Sequence, residues 1–116
     1  MKPSSAKAKG RKLQQWVRDL LLELADTCLS SDDIRSTSMG ARGEDVLLSP
    51  AARRMFPFSI ECKSVKAAAV MRWYDQAKAN TPEGSEPLVV IKENNKKPVV
   101  VVDAEYFFNN VSRTRE

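Results

Sequence analysis

Two unbroken apolar runs, Leu88-Val89-Val90-Ile91 and Val99-Val100-Val101-Val102, most restrict what this chain can fold into. β-Branched residues lose side-chain freedom in a helix and fit a pleated surface. Each run therefore predicts a strand, and the lack of polar alternation predicts strands covered on both faces. The polar stretch 92–98 between them predicts a hairpin-like turn. Such a sheet needs helices to cover it, and the sequence offers them. Leu13, Trp16, Val17, Leu20, Leu21 and Leu24 recur at spacings of three and four, which predicts a helix over about 10–25 with one broad apolar stripe. Val65, Ala68, Ala69, Trp73, Gln76 and Ala77 predict a second helix over 65–79.

The rest of the chain falls between these landmarks. Residues 29–33 read as a turn, 34–38 as a short strand and 39–43 as a loop with Gly40 and Gly43. A strand over 45–48 follows, then a connection over 49–55 with one helical turn begun by Pro50. Residues 56–63 read as a third strand and 80–86 as a loop. Asp103 is placed to cap a terminal helix containing Tyr106, Phe107 and Phe108. The order is helix-β-β-β-helix-β-β-helix, an α/β class (α+β, a mixed sheet flanked by helices). The 116 residues suit one domain. The expected division is a basic flexible arm over 1–9, a single domain over 10–110 and a frayed terminus over 111–116.

Charge is unevenly distributed. The net charge is +4, yet Lys2, Lys7, Lys9, Arg11, Lys12 and Arg18 all precede the first acid, Asp19, so the remainder nets −2. A basic leading segment can gain affinity for phosphates by releasing counterions. It can equally be a solvated tail. No histidine is present, which excludes imidazole bases, nucleophiles and ligands. Cys28 and Cys62 make neither a disulfide framework nor a zinc site, and both are expected as buried, reduced thiols. No apolar stretch approaches a membrane span, and residues 1–12 lack the apolar core of a signal peptide. The expected compartment is therefore the cytoplasm, with no membrane association.

The chemistry is left to carboxylates, lysine and a hard metal. Glu61 and Lys63, two residues apart on a strand, project to one face while Cys62 turns toward the core. Asp45 lies on the preceding strand, so a hairpin can bring it to Glu61. Two carboxylates meeting at one point suit Mg²⁺ and phosphodiester hydrolysis. The backbone carbonyl of Cys62 is a further candidate ligand. Lys63 would stabilise charge on the phosphate or orient the attacking water. Glu44 is the fallback for Asp45. The plain alternative is that Glu61 and Lys63 form an ordinary ion pair at a sheet edge.

Met39-Gly40-Ala41-Arg42-Gly43-Glu44-Asp45-Val46 followed by Ile60-Glu61-Cys62-Lys63 resembles the active-site hairpin of the PD-(D/E)xK nuclease superfamily. Within it, the chain is most similar to the Holliday-junction resolvase-like branch. The matching pieces are Lys9-Gly10 entering the first helix, Arg35-Ser36, Gly40 through Asp45, and Ile60 through Lys63. It also resembles short nucleases of bacteriophage genomes, which places the expected cytoplasm in a bacterium or a phage-infected cell. The resemblance implies a restriction-endonuclease-like core, a homodimer, a Mg²⁺ or Mn²⁺ requirement, and cuts leaving 5′-phosphate and 3′-hydroxyl ends. It makes Asp45 and Glu61 metal ligands and Lys63 the catalytic lysine. One departure stands out. The branch carries a glutamate early on the first helix, where this chain has Gln14 (in Leu13-Gln14-Gln15). Gln14 is kept as a candidate catalytic residue, with Glu23 as a possible substitute for the missing charge.

The expected function is a metal-dependent endodeoxyribonuclease, selective for branched DNA. The alternatives are a nicking or homing-type endonuclease of the same fold, or a non-catalytic nucleic-acid-binding module. Candidate DNA contacts are Lys9, Arg11 and Lys12 on the leading segment, Arg35, Ser36, Ser38 and Arg42 around the hairpin, and Gln76, which matches a position where related nucleases carry a glutamine. The alternative for Ser36, Ser38 and Arg42 is that they only shape the turn.

Overall fold

A computed structural model describes residues 3–37, 44–64 and 68–114. It is a mixed α and β structure. The element order is α1 (Pro3–Ala25), a 3₁₀ turn (Asp26–Cys28), β1 (Ile34–Ser36), β2 (Val46–Leu48), α2 (Pro50–Met55), α3 (Ala68–Asn80), β3 (Val89–Ile91), β4 (Val99–Val101) and α4 (Ala104–Thr114). The chain divides into two compact units rather than the single domain expected. One comprises Met1–Val65 and Phe108–Glu116, and the other Lys66–Phe107. No helix among the described residues is long and apolar enough to cross a membrane.

In the first unit, α1 lies against an antiparallel pair, β1–β2, with Ile34 opposite Leu48, Arg35 opposite Leu47 and Ser36 opposite Val46. Its helix begins at Pro3, earlier than expected, so Lys9 belongs to α1 and not to a flexible arm. Ala6, Lys7, Ala8 and Lys9 are good helix formers, and proline is tolerated in a first turn. The helix ends where Asp26 takes a left-handed φ of 54°. Val17, Leu21 and Ala25 of α1 join Ile34, Val46, Ala52, Phe56 and Ile60 in one core. Each large side chain sealed there contributes about 1.5–3 kcal/mol. Trp16, expected in the stripe, remains 45% exposed. Gln14 takes its place on the buried ridge, in step with Val17 and Leu21. Cys28, expected buried, is exposed, whereas Cys62 is partly buried against the core.

Among the described residues, the strand expected over 56–63 forms only one bridge, Ile60 to Val46, antiparallel. The reason is local. Pro57 has no amide proton, and Phe58 N–H turns back to the Phe56 carbonyl at 2.8 Å, a three-residue turn that interrupts ladder pairing. Phe56 and Phe58 instead meet Phe108 of α4 edge to face, at centroid separations of 6.4 and 6.1 Å. Ser49 caps α2 by accepting the Ala52 amide at 3.1 Å, with Pro50 at the first helical position as expected.

In the second unit, α3 packs on β3, and β3 pairs with β4 in an antiparallel hairpin. The turn between them places Asn95 at a φ of 64°, a conformation asparagine tolerates. Among the described residues this hairpin is a separate two-stranded sheet, and the expected single mixed sheet is not formed. Coverage on both faces is also not seen. Val90, Val99 and Val100 are 62%, 60% and 56% exposed. Asp103 caps α4 as expected, accepting the Tyr106 amide at 2.9 Å. The helix continues to Thr114, past the point where fraying was expected.

Candidate active site

Asp45 is the junction of the first unit. Its amide donates to the Ile60 carbonyl at 3.0 Å, and its Oδ2 accepts the Cys62 amide at 2.7 Å. The Asp45 carbonyl accepts from both the amide and the hydroxyl of Thr37, at 3.0 and 3.1 Å. The residue thus ties the end of β1 to the 60–62 segment. Regular pairing stops at Ile60, and the next amide on that side, Cys62, takes a side-chain carboxylate instead. The effect is to set a carboxylate beside the backbone that carries Glu61 and Lys63.

Glu61 and Lys63 lie on the solvent side. Lys63 Nζ stands 3.9 Å from Glu61 Oε1, and both side chains are more than 70% exposed. At this length and exposure the pair adds little to stability. Cys62 points the other way. Burial, with the negative charge of Asp45 nearby, pushes its thiol pKa up, so it stays protonated and is a poor nucleophile.

Glu44, the fallback ligand, is committed elsewhere. Its Oε1 accepts from Arg53 Nη2 at 2.7 Å, and the Arg53 guanidinium, with the Ser59 hydroxyl, holds its carboxyl below the usual range. Arg53 Nη1 also donates to the Phe58 carbonyl at 2.7 Å. Arg53 therefore fixes the residues just before Asp45 and just before the 60–62 segment. Arg53 and Thr37 were not among the residues expected from the sequence. Neither sits in a spacing pattern that would have marked it; Arg53 lies in what read as a mere connection.

Gln14 is 3% exposed. Its Oε1 accepts the Ser36 hydroxyl at 2.9 Å. It lies inside the unit, and its partner Ser36 immediately precedes the Thr37 that holds Asp45. Glu23 does not replace it: nine residues on, it falls half a turn around α1 and is exposed. Lys9, Arg11 and Lys12 lie exposed on α1, and Arg35 is exposed on β1. Gln76 is exposed on α3, in the other unit. Ser38 and Arg42 lie outside the described residues, as do Gly40 and Gly43.

Among the described residues, no group of three or more cysteine, aspartate or glutamate side chains is arranged to hold a metal ion. A hard cation here would rest on the carboxylates of Asp45 and Glu61, the Cys62 carbonyl and water. Oxygen donors of this type are those Mg²⁺ takes, since it keeps several waters and accepts one or two carboxylates. No protein-family model, no curated protein and no solved structure matches the chain.

Proposed function

We propose that the chain is a metal-dependent endodeoxyribonuclease that hydrolyses DNA phosphodiesters, selective for branched DNA and working as a homodimer. The observation that carries this reading is the contact between Asp45 and the Cys62 amide, which sets an aspartate against the Glu61-Cys62-Lys63 backbone. Asp45 and Glu61 would hold Mg²⁺ or Mn²⁺, with the Cys62 carbonyl as a further ligand. When bound, the ion would supply Lewis-acid polarisation of the phosphoryl group and a bound water of lowered pKa. Lys63, exposed, would leave its weak pairing with Glu61 to meet the phosphate. Asp45, held by Thr37 and Cys62, is the rigid partner in this pair, and Glu61 the adaptable one. Lys9, Arg11 and Lys12 would add sequence-independent attraction to the backbone.

A second reading is a nucleic-acid-binding module without catalysis. Gln14 favours it, because a neutral, buried amide stands where the resemblance implies a glutamate. One assay separates the two. Pure protein is incubated with a four-way junction and with linear duplex, in Mg²⁺, Mn²⁺ or EDTA. Metal-dependent cuts lost in Lys63→Ala support the nuclease. Tight binding without cuts supports the module, and neither cutting nor binding overturns both.

A further inference from the structure

An open groove of about 440 Å³ runs between α1 and β1, on the first unit. Arg18 and Arg35 line it, with Asp19, Ser31, Ser36 and the apolar residue Leu22. The backbone of Arg35 belongs to the ladder opposite Leu47, but its guanidinium makes no ion pair or hydrogen bond among the described residues and is available. Arg18 donates from Nε and Nη2 to Asp19 Oδ1 at 3.0 and 2.8 Å. That pairing fixes the guanidinium plane and leaves its remaining donors for an outside acceptor. β1 is the edge of its sheet among the described residues, so backbone groups also line this side. The volume falls in the range of small-ligand sites. Two guanidinium forks, hydroxyls and one apolar wall suit a phosphate joined to a flat or apolar group.

We propose that this groove seats one nucleotide of a single DNA strand, with the phosphate between Arg18 and Arg35 and the base or sugar against Leu22. The proposal rests on the nuclease reading only for the identity of the polymer. A single strand is favoured because a base must leave its stack to reach an apolar wall, and unpaired strands present such bases. Asp19 is the opposing element. It orients Arg18 but sets a negative charge at the rim of the groove, so it tempers affinity.

The test measures anisotropy of a fluorescent oligothymidylate with the full-length protein in EDTA, across a salt series. Arg18→Ala with Arg35→Ala is expected to weaken binding about tenfold or more, with the salt slope shallower by about 0.7 per arginine. Far-UV circular dichroism should be unchanged. Asp19→Asn is expected to tighten binding. Unchanged affinity and slope in the double variant overturn the proposal, as does a wild-type protein that does not bind the oligomer. Displacement of the probe by inorganic phosphate or thymidine monophosphate, at equal phosphate concentration, shows a free-anion site and overturns the strand assignment. Equal displacement by an acidic peptide does the same. Metal-dependent nicking is measured in parallel. Nicking that persists while the double variant binds normally removes the groove and leaves the nuclease. Arginine-dependent binding without nicking removes the nuclease and supports the groove.

Discussion

The Asp45 carboxylate accepts the Cys62 amide at 2.7 Å, and this one bond ties a structural task to a chemical one. The two tasks separate by substitution. An asparagine at 45 keeps an oxygen that can accept the Cys62 amide but loses the charge a cation needs. Asp45→Asn is therefore expected to fold normally and to lose about 100-fold or more of metal-dependent cleavage. Asp45→Ala also strands the amide and should cost about 1–3 kcal/mol in urea unfolding. Asn and Ala variants that are equally active would show that Asp45 serves only the fold.

Lys63 gives the complementary case. Its ion pair with Glu61 is long and both partners are exposed. Lys63→Ala should change unfolding free energy by no more than about 0.5 kcal/mol. Its effect on cutting should be large, because nothing else described on that face supplies an ammonium next to Glu61. Denaturant titration and junction cleavage on one preparation check both halves. A variant that is destabilised but still cuts would reverse the assignment.

The placement of Asp45 beside the 60–62 segment was more legible than the sheet around it. Asp45, Glu61 and Lys63 stand out by residue type and spacing, and the hairpin that juxtaposes Asp45 with the second segment uses local contacts. The sheet was misread for reasons that periodicity does not carry. A valine run fits a strand covered on both faces and a strand with one face open equally well, and Val90, Val99 and Val100 took the open option. The 56–63 segment reads as β-prone, yet Pro57 and the Phe56–Phe58 turn stop its ladder. Gln14 was invisible as a core residue because a polar side chain on a buried ridge depends on a partner 22 residues away, Ser36.

Gln14 tests how far the amide is structural. Gln14→Leu removes the acceptor for the Ser36 hydroxyl and should cost about 1–3 kcal/mol. Gln14→Glu places a carboxylate in a site that is 3% exposed. Desolvation disfavours the charged form there. The glutamate variant is expected to be destabilised at neutral pH and to recover as the solution is acidified and the carboxyl protonates. Thermal melts across pH read this directly. A Gln14→Glu protein as stable as wild type at neutral pH would mean that solvent or a cation reaches position 14.

The Arg53–Glu44 pair is expected to contribute to the acid limit of the first unit. The guanidinium bonds Glu44 at 2.7 Å and lowers its carboxyl below the ordinary range. A carboxyl whose folded pKa is depressed contributes stability above its unfolded value. That contribution is lost as pH falls through the folded one. Asp33 acts in the same direction, lowered first by the Ser49 hydroxyl at 2.6 Å and then by the Ser30 amide. Wild-type melting temperature should therefore drop between about pH 5 and pH 2. Arg53→Ala removes the chief cause acting on Glu44, so its melting temperature should start lower at neutral pH and fall less on acidification. Ser49→Ala should flatten the same limb through Asp33 and also weaken the start of α2, since the hydroxyl that bonds Asp33 is the one that caps the helix. Parallel acid limbs in wild type and both variants would place the pH sensitivity on other carboxylates.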